Sequence, residues 1–181
     1  MNKLLYIILF SLMINDEPIL WDKNCKLKFS DFKGKRPLNS EYEGLTSVKI
    51  TQRFKKSALS VDCYFVQEES YLDSQSEQLL QHEQLHFDIG GIIARIIENE
   101  IKYLRFEKQI KINDNNWLYY VKKIESNLLD YNFLFDSITN HGINKHNQLI
   151  WFEIINQAKD DDYIMLEEFN ESINLYKDKF K

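Results

Sequence analysis

The segment from His82 to His86 reads His-Glu-Gln-Leu-His, and it is the part of the chain best suited to carry chemistry. On a helix, residues i and i+4 lie one above the other, so His82 and His86 can turn two imidazoles toward one metal ion. Glu83 lies beside them, where it can take a proton from a metal-bound water. Zinc peptidases use this arrangement, and it requires a helix.

The residues around the motif supply that helix. Apolar residues recur there at helical spacing, and both histidines lie on or beside the apolar face. The helical pattern extends from Ser74 to about Phe106, with Asp73 or Ser74 as the predicted N-cap and Glu77 in the first turn. The apolar positions are Leu79, Leu80, Ile89, Ile92, Ile93, Ile96 and Ile97.

An accidental match is the alternative, because the motif is short and a histidine on an apolar helix face is more often a hydrogen-bonded core residue than a ligand. Here two of the four histidines fall at ligand spacing with a glutamate between them. Two buried imidazoles without a metal would also need separate hydrogen-bond partners. The motif therefore predicts a Zn²⁺ site with His82 and His86 as ligands and Glu83 as the catalytic base.

A catalytic zinc site normally has three protein ligands and leaves a fourth position for water. A third histidine six residues after the second is excluded, since that position is Ile92. Glu98 and Glu100 lie too far along the same helix to reach the ion. A carboxylate on a second helix or a histidine in the loop after it meets the requirement, and the candidates are Asp136, His141 and His146.

Composition predicts one globular domain rather than two. The chain has 181 residues, of which 44% are hydrophobic and 14% aromatic, enough for a substantial core. Five glycines and two prolines favour helices over many short strands. The formal net charge of −5 argues against a nucleic-acid partner, because phosphate binding needs a concentrated basic surface.

The N-terminus has the charge order of an export signal. Lys3 precedes an apolar run from Leu4 to Met13 that is too short to span a bilayer. Residues 1–16 are therefore predicted to be a signal peptide or an N-terminal anchor of an exported protein, with 17–181 as the single domain. A buried first strand is the alternative. In an exported protein Cys25 and Cys63 invite a disulfide, but the sequence does not establish their proximity.

The remaining patterns predict an α+β fold, with a small antiparallel sheet followed by a helical, zincin-like core. A strand that alternates apolar and polar residues over Ala58 to Val66 is expected at the sheet edge, where it would bind an extended substrate. Gly90-Gly91 falls inside the motif helix and indicates close packing there. The other predicted elements are a strand over Leu45 to Phe54, a helix from Trp117 to about Ile138, a stop at Thr139 to Gly142, and helices over Lys145 to Ala158 and Tyr163 to Lys179.

Three blocks of residues follow one another along the chain with a specific order and spacing. The first block contains Trp21, Leu27, Phe29, Ser30, Asp31, Phe32 and Gly34; the second runs from His82 to Ile89; the third contains Phe135, Asp136, Thr139, His141, Gly142, Gln148 and Trp151. These blocks resemble a group of bacterial proteins described as predicted secreted zinc-dependent proteases. Phe29 and Phe135 stand where tryptophan and tyrosine are expected in that family.

The resemblance implies a zinc metallopeptidase that acts on a peptide or protein substrate, and it favours His141 as the third ligand. Asp136 would then hydrogen-bond a ligand imidazole. His146, Tyr131 and Tyr119 are candidates for stabilising the oxyanion. Two other functions remain open: a zinc amidohydrolase acting on a non-peptide substrate, and a non-catalytic metal-binding or scaffold protein.

Overall fold

One 30-residue helix, α1 (Glu77–Phe106), runs through the middle of the fold and carries the His-Glu-Gln-Leu-His segment. The computed structural model describes residues 17–128 and 130–180. The architecture is α+β, as predicted. The strands are β1 (Ile19–Leu20), β2 (Gly44–Leu45), β3 (Val48–Lys55), β4 (Ala58–Phe65) and β5 (Tyr71–Leu72). The other α-helices are α2 (Trp117–Glu125), α3 (Tyr131–Thr139), α4 (Lys145–Asp160) and α5 (Leu166–Leu175).

Helix α1 is apolar around most of its circumference because it lies between two hydrophobic clusters. One face, with Phe87 and Ile97, packs against the inner side chains of β4. The opposite face, with Ile92 and Ile96, packs against helices α3, α4 and α5 around Trp151. A helix buried on both sides is held rigidly, so the side chains that it projects between the two clusters have fixed directions.

The sheet confirms the predicted antiparallel pair but corrects its position. β3 and β4 form a hairpin closed by Lys56 and Ser57, which both have positive φ, as tight hairpin turns require. The three-stranded sheet has the order β1-β4-β3, so β4 is its central strand. The prediction that Ala58 to Val66 is an edge strand for substrate is therefore wrong, because β1 and β3 pair with β4 on its two sides.

Side-chain caps explain where the helices differ from the predicted ranges. The predicted helix from Trp117 to about Ile138 is wrong: α2 ends at Glu125, and α3 begins anew at Tyr131. The side chain of Asp130 accepts a hydrogen bond from the backbone N–H of Phe133, which starts the second helix. The cap of α1 is likewise Ser76 rather than Asp73 or Ser74.

Gly91 is a position where another part of the chain approaches α1 closely. The helix continues without interruption through both glycines, and a Cβ on Gly91 would overlap the ring of Trp21. Gly90 is less crowded, since a Cβ there would lie 3.0 Å from Cys63 Sγ. The structure thus supplies the packing reason that the glycine pair indicated.

Gly91→Ala is expected to destabilise the fold by about 1–3 kcal/mol, because overpacking against Trp21 outweighs the helix propensity that alanine adds. Urea denaturation followed by circular dichroism measures the change. Gly90→Ala is the matched control and should lose less stability. A Gly91→Ala protein as stable as the parent would contradict the packing account.

The cysteines are free thiols, Cys25 half-buried and Cys63 buried. Burial raises the pKa of the Cys63 thiol to about 12, so the thiol stays protonated. The predicted signal or anchor segment, residues 1–16, lies outside the described residues, and export stays a prediction. In the parts of the chain that the structure describes, no helix is long and apolar enough to cross a membrane.

Candidate metal centre

Helices α1 and α3 pack against each other, and each contributes a pair of polar side chains one turn apart to the contact between them; these four side chains form the candidate metal centre. Helix α1 contributes His82 and His86, whose Nε2 atoms lie 3.2 Å apart. Helix α3 contributes Asn132 and Asp136 from its facing side. Because both pairs have i,i+4 spacing, the two polar pairs face each other across the contact between the helices.

Asp136 is the carboxylate that the structure places against the two imidazoles. Its Oδ1 lies 3.0 Å from His82 Nε2 and 3.1 Å from His86 Nε2. The side chain of His82 is 3% exposed and that of His86 is 12% exposed, whereas the Asp136 side chain is 27% exposed. The cluster is therefore closed on the helix side and open to solvent on the Asp136 side.

The three donor atoms fit one zinc ion. They are separated from one another by 3.0–3.2 Å, and a tetrahedral ion with bonds of about 2.0–2.1 Å requires ligand separations of about 3.3 Å. Asn132 Oδ1 lies 2.9 Å from His86 Nδ1. Because the amide oxygen can only accept a hydrogen bond, the His86 ring carries its proton on Nδ1. That bond leaves the Nε2 lone pair of His86 directed at the other donors, as a metal ligand requires.

Two of the three donor groups, His82 and Asp136, also have the charge state that a metal ion requires of its ligands. Burial lowers the pKa of His82, so its imidazole is neutral near pH 7. Burial also acts to lower the pKa of His86, but hydrogen bonding to Asp136 and the charge of Glu83 outweigh it and raise that pKa. Burial would raise the pKa of Asp136, yet its hydrogen bonds to both imidazoles hold that pKa well below its usual range. Asp136 is thus ionised, as a ligand must be.

Glu83 lies beside this cluster on the next position of α1 and is only 3% exposed. Strand β2 passes so close that a Cβ on Gly44 would overlap Glu83 Oε1. Burial raises the pKa of Glu83, while the charge of His86 and hydrogen bonding from Thr46 oppose the rise. Among the described residues, the buried Glu83 Oε2 has no hydrogen-bond partner, so its lone pairs are not committed to another group of the protein.

His141 lies at the mouth of the centre rather than inside it. Its Nδ1 is 3.5 Å from Asp136 Oδ1, and its side chain is 45% exposed. Helix α3 ends at Thr139, and Asn140 and His141 both have positive φ, which turns the chain back toward the helix. The His141 ring packs on Tyr42 with ring centroids 4.6 Å apart. Within the described residues, the group placed to hold a metal is His82, His86 and Asp136.

Asp136→Asn is expected to weaken zinc binding by more than about 100-fold, because it removes a ligand charge and not only an outer partner. Glycine suits the positive φ at position 141, so His141→Gly tests the side chain alone. This variant is expected to lose zinc affinity by no more than about 10–100-fold, the loss typical of a residue that hydrogen-bonds a ligand. Competitive chelation of both variants gives the order. The reverse order would make His141 the third ligand.

The other predicted site residues are bonded elsewhere. The Tyr131 hydroxyl donates to Asn170, the His146 ring contacts the backbone carbonyl of Lys179, and Tyr119 packs on Tyr120. The oxyanion role proposed for Tyr131, His146 or Tyr119 gains no support from these contacts. Phe135 instead forms the wall of the centre, stacked on His82 with centroids 4.5 Å apart.

Sequence reasoning missed two residues that position the site. Asn132 orients His86, and Thr46 binds Glu83 through its side-chain hydroxyl, which donates to the Glu83 carbonyl at 3.1 Å. The sequence pattern could have identified Asn132, because it precedes Asp136 by four residues on a helix. No sequence pattern could have identified Thr46, since its contact with Glu83 depends on how the chain before β3 crosses α1.

The chain matches no family profile, no curated protein and no solved structure. The resemblance to the secreted zinc-dependent proteases therefore stays a prediction.

Proposed function

We propose that this protein is a zinc metallopeptidase in which His82, His86 and Asp136 hold the ion and Glu83 is the general base. The observation that carries the proposal is the convergence of three metal-ligand atoms within 3.0–3.2 Å of one another, next to a buried glutamate. When bound, zinc supplies a Lewis acid that polarises a carbonyl and lowers the pKa of water.

Glu83 performs the proton transfers in this proposal. Its Oε2 takes the proton of the attacking water and later passes it to the leaving amine. Burial supports this role, because the raised pKa of Glu83 brings its carboxyl closer to the pH at which it must both accept and return a proton. The backbone at Gly44 packs against the Glu83 carboxylate and restricts its orientation, and Thr46 bonds the Glu83 backbone carbonyl, which together reduce the cost of reaching the reactive geometry.

Hydrolysis is favoured over a structural zinc site by the number of ligands and by the free glutamate oxygen. Structural sites are normally closed by four protein ligands, whereas His82, His86 and Asp136 are three. A scaffold protein also has no need of a buried carboxylate oxygen without a partner. The choice of a peptide over another amide follows from the resemblance of the three sequence blocks.

Removal of the metal tests the proposal. Protein purified without added zinc is treated with a chelator, dialysed and assayed on casein and on a mixed fluorogenic peptide library. We expect hydrolysis by the zinc-loaded protein, its loss after chelation, and its return when one equivalent of Zn²⁺ is added. Hydrolysis that persists in metal-free protein would contradict the mechanism. Zinc binding without cleavage of any peptide, but with cleavage of small amides, would favour the amidohydrolase.

A further inference from the structure

Besides Glu83 Oε2, two buried polar atoms close to the proposed centre lack hydrogen-bond partners among the residues that the structure describes. One is Nδ1 of His82, the ring nitrogen that faces away from Asp136, and the other is Oε1 of Gln148 on α4. His82 is 2% exposed and Gln148 is 6% exposed, so bulk water does not satisfy either atom. Leaving both unpaired costs free energy, typically about 1–3 kcal/mol for each group.

The two atoms face the same small space beside Gly142. A Cβ on Gly142 would lie 3.2 Å from His82 Nδ1 and 3.2 Å from Gln148 Oε1. The side chain of Gln148 is directed there because its Nε2 donates to the backbone carbonyl of Gln78, and Gln78 Nε2 in turn donates to the carbonyl of Gly142. The absence of a side chain at position 142 keeps the path between the imidazole and the amide open.

The tautomer of His82 decides whether this pair can bond. A histidine that binds a metal through Nε2 carries its proton on Nδ1, and that N–H almost always donates to an oxygen nearby. Asn132 Oδ1 provides the equivalent oxygen for His86. For His82, the buried oxygen without a partner that lies beside the same glycine is Gln148 Oε1.

We propose that Gln148 is a positioning residue for the metal centre: when zinc binds His82 Nε2, Gln148 Oε1 moves within hydrogen-bond distance, accepts the Nδ1–H of His82 and fixes that ligand in its zinc-binding tautomer. The proposal rests on the proposed function, since it requires zinc on His82 Nε2. In this proposal the two imidazoles have equivalent partners, because each Nδ1–H donates to a side-chain amide oxygen. Asn132 on α3 is the acceptor for His86, and Gln148 on α4 is the acceptor for His82.

A pair of variants isolates the acceptor. Gln148→Met and Gln148→Glu both keep the length of the side chain, and both lose the Nε2 donor to Gln78, but only the glutamate keeps an oxygen acceptor. Zinc affinity is measured by competitive chelation. We expect Gln148→Met to bind Zn²⁺ about 10–100-fold more weakly than the parent, and Gln148→Glu to stay within about 10-fold of it. Equal losses in the two variants, or none in either, would overturn the proposal.

A nitrogen-detected NMR measurement on the parent protein keeps the proposal testable if Gln148→Met does not fold. In zinc-loaded protein, the His82 ring should show a slowly exchanging proton on Nδ1, and the Gln148 side-chain amide should shift as zinc is added. The His86 ring, held by Asn132, is the internal reference. A His82 Nδ1 proton that exchanges rapidly with water would refute the Gln148 contact. Failure of the parent to bind zinc would instead refute the proposed function itself.

Discussion

Glu83→Gln is expected to keep zinc bound and to lower kcat for peptide hydrolysis by about 10²–10⁴-fold, the usual contribution of a general base. The amide preserves the shape of the side chain but cannot accept the proton of the attacking water. KM should change little, because Glu83 is assigned to proton transfer and not to holding the substrate. Steady-state kinetics and zinc content, measured on the same preparation, check both parts of the expectation.

Glu77→Gln is the matched control for that substitution. Glu77 lies in the first turn of the same helix and is exposed, so the change removes the same charge without touching the centre. It should leave kcat unchanged. A Glu83→Gln protein that retains the activity of the parent would show that another group activates the water, even if zinc is present.

His82→Ala and His86→Ala are each expected to weaken zinc binding by more than about 100-fold, beyond the loss that an outer partner typically causes. Each substitution removes one of three ligands and leaves a buried space next to Asp136. Zinc per chain should fall from about one to near zero after dialysis against a weak chelator. Elemental analysis of the dialysed proteins measures this directly.

His146→Ala removes a histidine from an exposed position on α4, where its ring contacts a backbone carbonyl, and it serves as the control. Its zinc content should equal that of the parent. If His82→Ala and His86→Ala also retain one zinc per chain, the metal lies elsewhere and the proposed centre is wrong.

The part of the site that depends on one helix was predictable from the sequence. Spacing of four residues puts His82 and His86 on one face of α1, and the apolar residues around them make that helix central to the fold. These properties are local, because each follows from the periodicity of a single segment. The structure accordingly places both imidazoles and Glu83 together.

The third donor was not predictable to the same degree, because it depends on how a second helix packs against α1. The sequence left Asp136 and His141 as alternatives and favoured His141 by resemblance. Asp136 lies inside α3, whereas His141 lies beyond its end in a left-handed turn, and only the position of α3 decides which one reaches the imidazoles. The wrong prediction of one continuous helix from Trp117 to Ile138 hid the start of α3 at Tyr131 and therefore its direction.

The residues that surround the proposed ligands differ in the same way, since some follow a local sequence pattern and others depend on long-range packing. Asn132 has helical spacing to Asp136 and was open to prediction once α3 was recognised. Gln148 on α4 and Thr46 in the segment between two strands both bond the backbone of α1, at sequence separations that no local pattern reports. Long-range packing of this kind is visible only in the folded chain.

The metal centre can be observed in a crystal structure of the zinc-equilibrated protein, with diffraction recorded on both sides of the zinc absorption edge. We expect one anomalous peak per chain at about 2.0–2.2 Å from His82 Nε2, His86 Nε2 and Asp136 Oδ1, with Glu83 Oε2 facing the open side of the ion. A peak bound by His141 instead of Asp136 would contradict the ligand set. No peak between α1 and α3 would contradict the metal centre itself.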